Sequence, residues 1–390
     1  MNFGSSRRNF LAGSLALPVL PALAAPPAKP IGMARRTLGK TGLKLSPLGF
    51  GGRGTSEAGV LRRAFDLGIN YFDTGRMYAN SERLIGVALK DHRKDVVIST
   101  KTANQTKDKA LADLDTSLKE LQSDYVDIWQ YQNAYTRPED VTDEVLETLQ
   151  IAKKAGKARF VGITSHLNVP AMVDNMVKRG GCDMMLVGFN FTMQADTAHA
   201  IERARQSGMG MVAIKVLAGG FARIEASPAR SDGRWFTPGT IDGLTATLKQ
   251  DGAMTAAIRW VLRNEFVDSS AVCMADYDQV ESNVRAMAQA FTPEDEKLLT
   301  AKTAFLAPRY CRMCGTCTGV CDKGVRVSDM LRFVAYAEGY RDFPLARQSY
   351  LELDEQARQI RCADCRTCSV RCPNGVEVRA RLMRAQELLA

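Results

Sequence analysis

The chain has 390 residues, of which 45% are hydrophobic and 24% are charged. This composition excludes a disordered or collagen-like chain, and the length suffices for a barrel-sized core together with a smaller second domain. The formal net charge of +9 would on its own suggest a nucleic acid or a membrane surface as a partner.

The first 29 residues have the layout of an export signal. Arg7 and Arg8 precede an apolar stretch rich in alanine and leucine, and the small residues at 22–25 fit a cleavage site. The stretch is too short and too rich in proline for a stable membrane span. The arginine pair resembles a twin-arginine (Tat) signal, which implies export of a folded protein to the periplasm. An ordinary secretory signal and an uncleaved tail are the alternatives.

From residue 38 to residue 306, short apolar runs alternate with amphipathic stretches of helical length, eight times over. Strands are predicted at residues 45–51, 70–73, 96–100, 125–131, 158–163, 184–189, 210–216 and 269–274. Helices are predicted at residues 81–89, 141–155, 195–207 and 279–290, among others. The pattern predicts an α/β fold, a parallel eight-stranded (β/α)8 TIM barrel over residues 35–305, with a doubly wound open sheet as the alternative. The long connection at 218–249 has the size of a lid or of a surface insertion.

Polar side chains follow the second, third and fourth predicted strands, namely Asp73, Tyr78, Lys101 and Gln132. In such a barrel the loops at the C-terminal ends of the strands build the active site. An aspartate paired with a buried lysine holds the ammonium beside a tyrosine, and this cation lowers the pKa of the phenol toward a value suited to proton transfer. Tyr78 is therefore the candidate acid or base, although each residue alone is equally typical of a hydrogen bond at the barrel rim.

Four segments resemble successive motifs of the aldo-keto reductase family, in the family's order. They read FDTGRMYANSERLIG at 72–86, VVISTKT at 96–102, DYVDIWQYQN at 124–133 and VGITSH at 161–166. The resemblance covers residues 38–287 and implies an NADP(H) or NAD(H) cofactor bound extended across the strand ends, without a Rossmann domain. It also implies a catalytic tetrad in which Tyr78 is the proton donor, Lys101 tunes it and Asp73 pairs with Lys101.

Gln132 stands where the family has the histidine of the tetrad. A glutamine amide donates a hydrogen bond to a carbonyl oxygen, but it neither titrates nor carries charge. Either the barrel acts on an altered substrate, such as another polarised double bond, or it has lost catalysis.

The same resemblance implies a set of cofactor contacts around the strand ends. They are Ser165 and His166 at the carboxamide, Asn190 after the sixth strand, Lys215, Leu217 and Gly219 after the seventh, and Gln279 and Asn283 at the adenosine end. The chain departs from many relatives at Leu186, where they have glutamine, and at Ile214, where they have a stacking aromatic ring. Gln279 replaces a basic residue that often holds the 2'-phosphate, which weakens a preference for NADPH over NADH.

Eight of the ten cysteines form two runs with the spacing C-x2-C-x2-C-x3-C. This spacing is typical of 4Fe-4S ligation, in which the fourth cysteine of each run commonly ligates the opposite cluster. The crossover rule predicts two 4Fe-4S clusters, one on Cys311, Cys314, Cys317 and Cys372 and the other on Cys362, Cys365, Cys368 and Cys321. Zinc and disulfides are the alternatives.

The two runs are separated by helical patterns at 327–338 and 350–359, so residues 306–390 are predicted to form a small α-helical ferredoxin-like domain. A barrel followed by such a domain resembles an iron-sulfur branch of the aldo-keto reductase family. A Tat signal agrees with it, because clusters are assembled before export. Cys182 and Cys273 lie in the barrel and are predicted to be plain buried residues.

Two functions follow as hypotheses. The first is an exported NAD(P)-dependent oxidoreductase for a small carbonyl or related substrate, with the Tat export machinery and a redox protein as candidate partners. The second is an electron-transfer or ligand-binding protein with a catalytically silent barrel, since a hydride carries two electrons, a cluster accepts one and no flavin motif is evident. The signal segment and the cysteine-rich segment carry most of the net positive charge, which two anionic clusters would offset in part, so nucleic acid is not predicted as a partner.

Overall fold

The fold consists of a closed eight-stranded barrel and a helical segment that follows it. A computed structural model describes residues 32–132, 137–193, 195–218, 252–308, 310–339 and 342–390. The strands are β1 (Arg36–Thr37), β2 (Lys44–Leu45), β3 (Leu48–Gly51), β4 (Tyr71–Asp73), β5 (Val97–Thr102), β6 (Val126–Gln132), β7 (Ala158–Ser165), β8 (Met184–Gly188), β9 (Gly210–Ile214) and β10 (Ser269–Cys273).

The α-helices of the described residues alternate with these strands and then continue beyond them. They are α1 (Ala58–Asp66), α2 (Ser81–Leu89), α3 (Lys107–Leu121), α4 (Asp143–Lys154), α5 (Val169–Arg179), α6 (Ala195–Ser207), α7 (Ala253–Leu262), α8 (Tyr277–Met287), α9 (Pro293–Leu306), α10 (Val327–Val334), α11 (Phe343–Leu351), α12 (Glu355–Gln359) and α13 (Val378–Leu389). Short 3-10 turns lie at Lys90–His92, Pro138–Asp140 and Cys362–Asp364, and a π-helical turn lies at Ala335–Gly339. None of the helices described is long and apolar enough to cross a membrane.

Strands β3 to β10 are all parallel and close in the order β10-β3-β4-β5-β6-β7-β8-β9. The eight-stranded barrel prediction is therefore confirmed, and the open-sheet alternative is wrong. Strand β9 ends two residues earlier than predicted because Lys215 adopts a left-handed backbone with φ of +58°, which an extended strand does not accommodate.

Strands β1 and β2 form an antiparallel hairpin that the sequence pattern did not predict. The run predicted as one strand breaks at Ser46 and Pro47, where proline lacks the N–H that a strand ladder requires. The Arg36 guanidinium fixes the hairpin by donating to the carbonyl oxygens of Leu262 and Val267, at 2.7 and 2.6 Å. The hairpin therefore covers the end of the barrel at which the strands begin.

Alternation along the strands creates two apolar layers. One packs within the barrel and against the hairpin, where Leu38 and Leu45 meet Ile128 and Met184. The other lies between the strands and the surrounding helices and holds the fully buried Trp129. With both faces of its strands covered, the barrel presents polar groups at the strand ends.

The C-terminal segment (residues 306–390) has an apolar core of its own, built mainly by α10, α11 and α13, against which five of the cysteines pack partly buried. The prediction of one helix at 350–359 is wrong. Helix α11 starts at Phe343, because Asp342 caps it by accepting from the Leu345 N–H at 3.1 Å, and ends at Leu351. The chain turns before a separate short helix, α12.

The C-terminal segment lies over the end of the barrel at which β7 and β9 finish. The Asn168 N–H donates to the Met313 carbonyl at 2.9 Å, and Leu167 packs with Met313 and Leu306 in one buried apolar cluster. Arg53, in the loop after β3, forms an ion pair with Asp342. The segment is therefore placed to complete whatever site the strand ends build.

Three predicted features lie outside the described residues: the signal at 1–29, most of the connection at 218–249, and the cofactor contact at Gly219.

Candidate active site

A cleft opens at the C-terminal ends of the barrel strands. Its lining includes Asp73, Tyr78, Gln132, His166, Lys215, Leu217 and Gln279 from the barrel, all singled out in the sequence. Arg53 and Cys273 from the barrel and Tyr336, Asp342 and Leu345 from the C-terminal segment also line it, and the sequence pattern gave no signal for any of these. Sequence reasoning thus found the barrel wall of the cleft and missed the wall that the second segment supplies.

Asp73 and Lys101 form a buried ion pair on neighbouring strands. The Lys101 Nζ lies 2.5 Å from Asp73 Oδ2 and also donates to the Thr74 carbonyl at 2.6 Å. Both side chains are almost completely excluded from water, at 1% and 5% exposure. Breaking such a pair by removing one partner would leave an uncompensated buried charge.

Besides Lys101, two neighbours hold the Asp73 carboxylate in place. The Tyr71 hydroxyl donates to Asp73 Oδ1 at 3.3 Å, and the Gln130 amide approaches the same oxygen at 3.5 Å. Gln130 is itself fixed, since it donates to Ser99 Oγ at 2.6 Å and accepts from Thr164 Oγ1 at 3.1 Å. These inward-facing polar residues carried no distinct sequence signal, because each sits within a strand that is otherwise apolar.

Tyr78 lies above this pair, with the Lys101 Nζ 5.2 Å from the centroid of its ring. Burial raises the pKa of Tyr78 above its ordinary value, and Lys101 opposes this without overcoming it. The cation lowers the pKa of Tyr78 as expected, but desolvation of the phenolate outweighs this effect, so the pKa as a whole is raised. Burial likewise disfavours charged Lys101, but Asp73 and Tyr78 raise the pKa of Lys101 above its ordinary value.

Gln132 reaches the tyrosine from the end of β6. Its Nε2 donates to the Tyr78 hydroxyl oxygen at 3.3 Å. Its Oε1 is buried and has no hydrogen-bond partner within the ranges that the structure describes. The amide thus stands beside the phenol, where it can also donate to the oxygen of a substrate that Tyr78 protonates.

His166 and Lys215 face the cleft beside a side chain of the C-terminal segment. His166 Nδ1 lies 3.0 Å from the Tyr336 hydroxyl, and the Lys215 Nζ lies 4.8 Å from the Tyr336 ring centroid. Burial, together with the nearby Lys215 and Arg332, lowers the pKa of His166 well below its ordinary value, so this imidazole is neutral.

The predicted cofactor contacts divide into two sets. His166, Lys215, Leu217 and Gln279 line the cleft, as do Leu186 and Ile214 at the positions where the chain departs from its relatives. Ser165, Asn190 and Asn283 do not line it. Ser165 Oγ donates to the Leu167 carbonyl at 3.0 Å, and Asn190 Nδ2 donates to the Lys215 carbonyl at 3.0 Å, so both side chains are engaged in shaping loops. Asn283 is buried in α8.

The cysteines of the C-terminal segment gather across the two runs. Burial, together with the nearby Cys317, Cys314 and Cys372, raises the pKa of Cys311 to about 12. Burial, together with the nearby Cys365, Cys321 and Cys368, raises the pKa of Cys362 to about 11. We call these sets the first and the second cysteine group. In each group the fourth member comes from the other run, as the crossover rule predicts.

Hydrogen-bond donors already point at the sulfurs of the first cysteine group. The Met313 N–H lies 3.3 Å from Cys311 Sγ, the Asn374 N–H lies 3.4 Å from Cys372 Sγ, and Asn374 Nδ2 lies 3.5 Å from Cys314 Sγ. Among the described residues no group of three or more His, Cys, Asp or Glu is placed to hold a metal ion, and no disulfide joins cysteines. The N–H donors directed at the sulfurs of the first cysteine group are a feature that 4Fe-4S ligation uses.

The two remaining cysteines differ from each other. Burial raises the pKa of Cys182 to about 12. Cys273 is exposed and lines the cleft, so its prediction as a plain buried residue is wrong. It is the last residue of β10, where the barrel opens to solvent.

Residues 54–304 match the aldo/keto reductase family. The match spans more than half of the chain, and the chain belongs to this family of NAD(P)-dependent oxidoreductases. The match ends before the cysteine-rich segment.

Among similar proteins, L-galactose dehydrogenase of Arabidopsis thaliana is 28% identical over 300 residues, covering 70% of this chain and 94% of the plant protein. L-glyceraldehyde 3-phosphate reductase of Escherichia coli is 28% identical over 312 residues, covering 65% and 88%. The solved apo form of an aldo-keto reductase from Bacillus halodurans superposes with a TM-score of 0.53 at 26% identity, covering 69% and 95%. Each of these is matched over most of its own length.

Proposed function

We propose that this protein is an exported iron-sulfur oxidoreductase of aldo-keto reductase type, which uses NADP(H) or NAD(H) to reduce or oxidise a small carbonyl or related substrate. One observation carries the proposal. Lys101 and Asp73 form a buried ion pair beside the half-buried Tyr78, whose phenol faces the cleft. A protonated phenol beside a cationic lysine is the arrangement that delivers a proton to a carbonyl oxygen.

The bound nicotinamide would supply a hydride to the carbonyl carbon. Side chains of the barrel supply the proton and stabilise the charge that its transfer leaves. Tyr78 gives its phenolic proton to the carbonyl oxygen, so that C=O, hydride and proton yield an alcohol. Lys101, held by Asp73, stabilises the phenolate left on Tyr78, and the pair costs no reorganisation because it already exists in the resting protein.

Gln132 provides an N–H at the oxygen of the substrate. It cannot protonate that oxygen, so in this chain Tyr78 is the sole acid of the tetrad positions. This supports a substrate that needs orientation and polarisation without a second titratable group.

His166, Lys215, Leu217 and Gln279 are the described side chains that would contact the nicotinamide cofactor in the cleft. Gln279 is held by its own neighbours, since its Nε2 donates to Asp276 Oδ2 at 2.8 Å. A neutral amide here supports use of NADH at least as well as NADPH.

The eight C-terminal cysteines would hold two 4Fe-4S clusters, with the crossover ligation of the two cysteine groups. Such clusters accept and donate single electrons. The first cysteine group lies nearer the cleft, because Lys215 contacts Met313 at 3.3 Å and Met313 lies between Cys311 and Cys314 in the chain. The proposal therefore includes a ferredoxin-like role for residues 306–390 and a redox protein as partner.

The proposed export through the Tat machinery to the periplasm rests on the arginine pair and the apolar stretch of the first 29 residues. Folding before export would keep the clusters in place during translocation. Cell fractionation with a chain carrying Arg7→Lys and Arg8→Lys tests this point, and retention of both chains in the same compartment would contradict it.

The names of two relatives suggest a class of substrate, which we propose for this chain. One relative is named for L-galactose and another for L-glyceraldehyde 3-phosphate, both small hydroxylated aldehydes or their derivatives. We propose a small polar hydroxyl or carbonyl compound of this kind.

The test uses the full chain, purified without oxygen and with its iron determined. NADH and NADPH are offered with L-glyceraldehyde 3-phosphate, and NAD+ and NADP+ with L-galactose. Turnover by the natural chain and a loss of at least about 100-fold in Tyr78→Phe, with unchanged iron content, are expected. Tyr277→Phe, which alters an exposed tyrosine of α8, is the matched control. Undiminished turnover in Tyr78→Phe would overturn the assignment of the proton donor.

A second candidate is an electron-transfer or ligand-binding protein with a silent barrel, and Gln132 favours it. The intact geometry of Asp73, Lys101 and Tyr78 favours catalysis instead. The silent barrel predicts cofactor or ligand binding without turnover for every substrate offered.

A further inference from the structure

Tyr336 brings a side chain of the C-terminal segment into the cleft of the barrel. It lies on the π-helical turn that continues α10, is 5% exposed, and lines the cleft together with His166 and Lys215. π-Helical turns interrupt α-helices mostly at functional sites. The family match ends at residue 304, so this residue lies outside it.

Two cations face the phenol of Tyr336. Arg332 donates to its oxygen at 3.1 Å, and Arg332 is in turn fixed by Asp329 at 2.9 Å. The Lys215 Nζ lies 4.8 Å from the centroid of the Tyr336 ring. Neither cation can accept a hydrogen, so the hydroxyl hydrogen of Tyr336 must point elsewhere.

His166 Nδ1 is an acceptor within reach, at 3.0 Å from the phenol oxygen. His166 is neutral, because burial and the same two cations disfavour its protonation. A neutral imidazole that accepts at Nδ1 carries its single hydrogen on Nε2. This nitrogen is the one left to serve a ligand in the cleft.

We propose that Tyr336 is a positioning residue that selects the Nε2–H tautomer of His166, so that His166 presents a hydrogen-bond donor to the amide carbonyl oxygen of a bound nicotinamide. The inference rests on the proposed function for the identity of the ligand. It gives the C-terminal segment a direct part in forming the cofactor site, in addition to any role in electron transfer.

The groups that face Tyr336 are His166 and Lys215 from the barrel and Arg332 from α10. Burial by itself raises the pKa of Tyr336. Lys215 and Arg332 together lower it by more than this, so the pKa lies below its ordinary value. Once the phenol loses its proton on the alkaline side, the phenolate must accept from Nδ1–H, and Nε2 becomes an acceptor. Affinity for the nicotinamide should therefore fall as the pH rises through this pKa.

The test compares Tyr336→Phe with the natural chain and with Tyr350→Phe, which removes the hydroxyl of another buried tyrosine of the same segment. Long-range ¹H–¹⁵N spectra of the imidazoles report the tautomer directly, and with three histidines in the chain His166→Gln identifies the signal. Nicotinamide fluorescence titrations with NADH and NADPH report affinity, and iron content reports the integrity of the segment.

We expect the natural chain and Tyr350→Phe to show the Nε2–H tautomer of His166. In Tyr336→Phe a mixture of tautomers and a dissociation constant raised about tenfold are expected, at unchanged iron content and without the alkaline loss of affinity. An unchanged tautomer and an unchanged affinity in Tyr336→Phe would overturn the inference. Absence of nicotinamide binding by the natural chain would contradict the proposed function and with it the ligand assigned here, whereas the spectra would still decide whether Tyr336 sets the tautomer.

Discussion

The barrel and the C-terminal segment reach stability by different means. The barrel buries aliphatic and aromatic side chains on both faces of a closed sheet. Lys101 and Asp73 are buried there as an ion pair, whereas the buried Lys302 Nζ has no hydrogen-bond partner among the described residues. The C-terminal segment has a much smaller apolar core, and half-buried cysteines make up part of its packing. Small segments of this kind generally need a staple such as a metal centre. The barrel therefore provides a rigid frame for catalysis, while we propose that the smaller segment depends on metal centres held by its cysteines.

The largest effect is expected from the removal of one cysteine, which should disturb the C-terminal segment and leave the barrel intact. Cys372→Ser should lose the same cluster as Cys314→Ser, because the first cysteine group combines both runs. Iron content should fall by about half in both variants, and the C-terminal segment should lose protection from hydrogen exchange while the barrel keeps it. Cys182→Ser in the barrel is the matched control. If Cys372→Ser instead resembled Cys365→Ser in its spectra and differed from Cys314→Ser, the crossover would be contradicted.

Next in size is Lys101→Met, which acts within the barrel alone. It should lower the rate of turnover at least about 100-fold and destabilise the barrel by about 3 kcal/mol, because Asp73 stays buried without its partner. Denaturant unfolding and steady-state rates measure the two effects. In the double variant with Asp73→Asn, stability should largely return while activity does not. Recovery of activity would show that Lys101 acts only by compensating Asp73.

The pH dependence is a further test of the barrel site. Reduction needs Tyr78 with its proton, and burial raises the pKa of Tyr78 above its ordinary value, so the proton is present throughout the neutral range. The kcat/KM for reduction should be flat with respect to this group from about pH 6 to about pH 9, and that for oxidation should rise with pH over the same range. Because Cys273 also lines the cleft, the measurement uses a variant that lacks this thiol. A kcat/KM for reduction that falls between about pH 6 and about pH 9 in this variant would contradict Tyr78 as the acid.

Gln132→Met should have a smaller effect. Methionine has a similar volume but lacks the N–H that faces the Tyr78 hydroxyl, so kcat/KM should fall about tenfold, the cost of one hydrogen bond to a developing charge. Gln150→Met, on the outer helix α4, is the control. An unchanged kcat/KM would remove Gln132 from the site.

The smallest predicted effect concerns the junction between the two regions. Asp342→Asn keeps the cap of α11 but removes the charge that pairs with Arg53. Because both side chains are partly exposed, the segment should loosen from the barrel by at most about 1 kcal/mol. Protection from hydrogen exchange at residues 342–346 measures this loosening. The control is Asp322→Asn, which alters a carboxylate bonded to Ser369 within the C-terminal segment. A loss of protection of the same size in the control would show that the effect is not specific to the pair with Arg53.

The difference between the barrel and the C-terminal segment also decides how much of the structure can be predicted from the sequence. The barrel strands were predictable because alternating apolar periods and buried parallel strands leave a regular pattern, and Asp73, Tyr78 and Lys101 follow strand ends in a recognisable context. The spacing of the cysteines alone predicts the crossed ligation of two clusters, which stays a prediction.

The remaining features depend on contacts between distant parts of the chain. Nothing in the local sequence of Tyr336 or Asp342 shows that the C-terminal segment folds back over β7 and β9. The net pKa of Tyr78 depends on its burial, which spacing does not report. Asn190 and Ser165 were assigned to the cofactor by position, and nothing in the sequence indicated that both also donate to loop carbonyl oxygens.

The central claim is that the strand-end cleft, completed by the C-terminal segment, is a nicotinamide site with Tyr78 at its reacting end. An anaerobic fluorescence titration of the iron-containing full chain with NADH and NADPH tests it most directly. Saturable change in nicotinamide fluorescence with at least one of the two, weakened in Tyr336→Phe and retained in Tyr78→Phe, is the predicted result. No change with either cofactor would contradict the account.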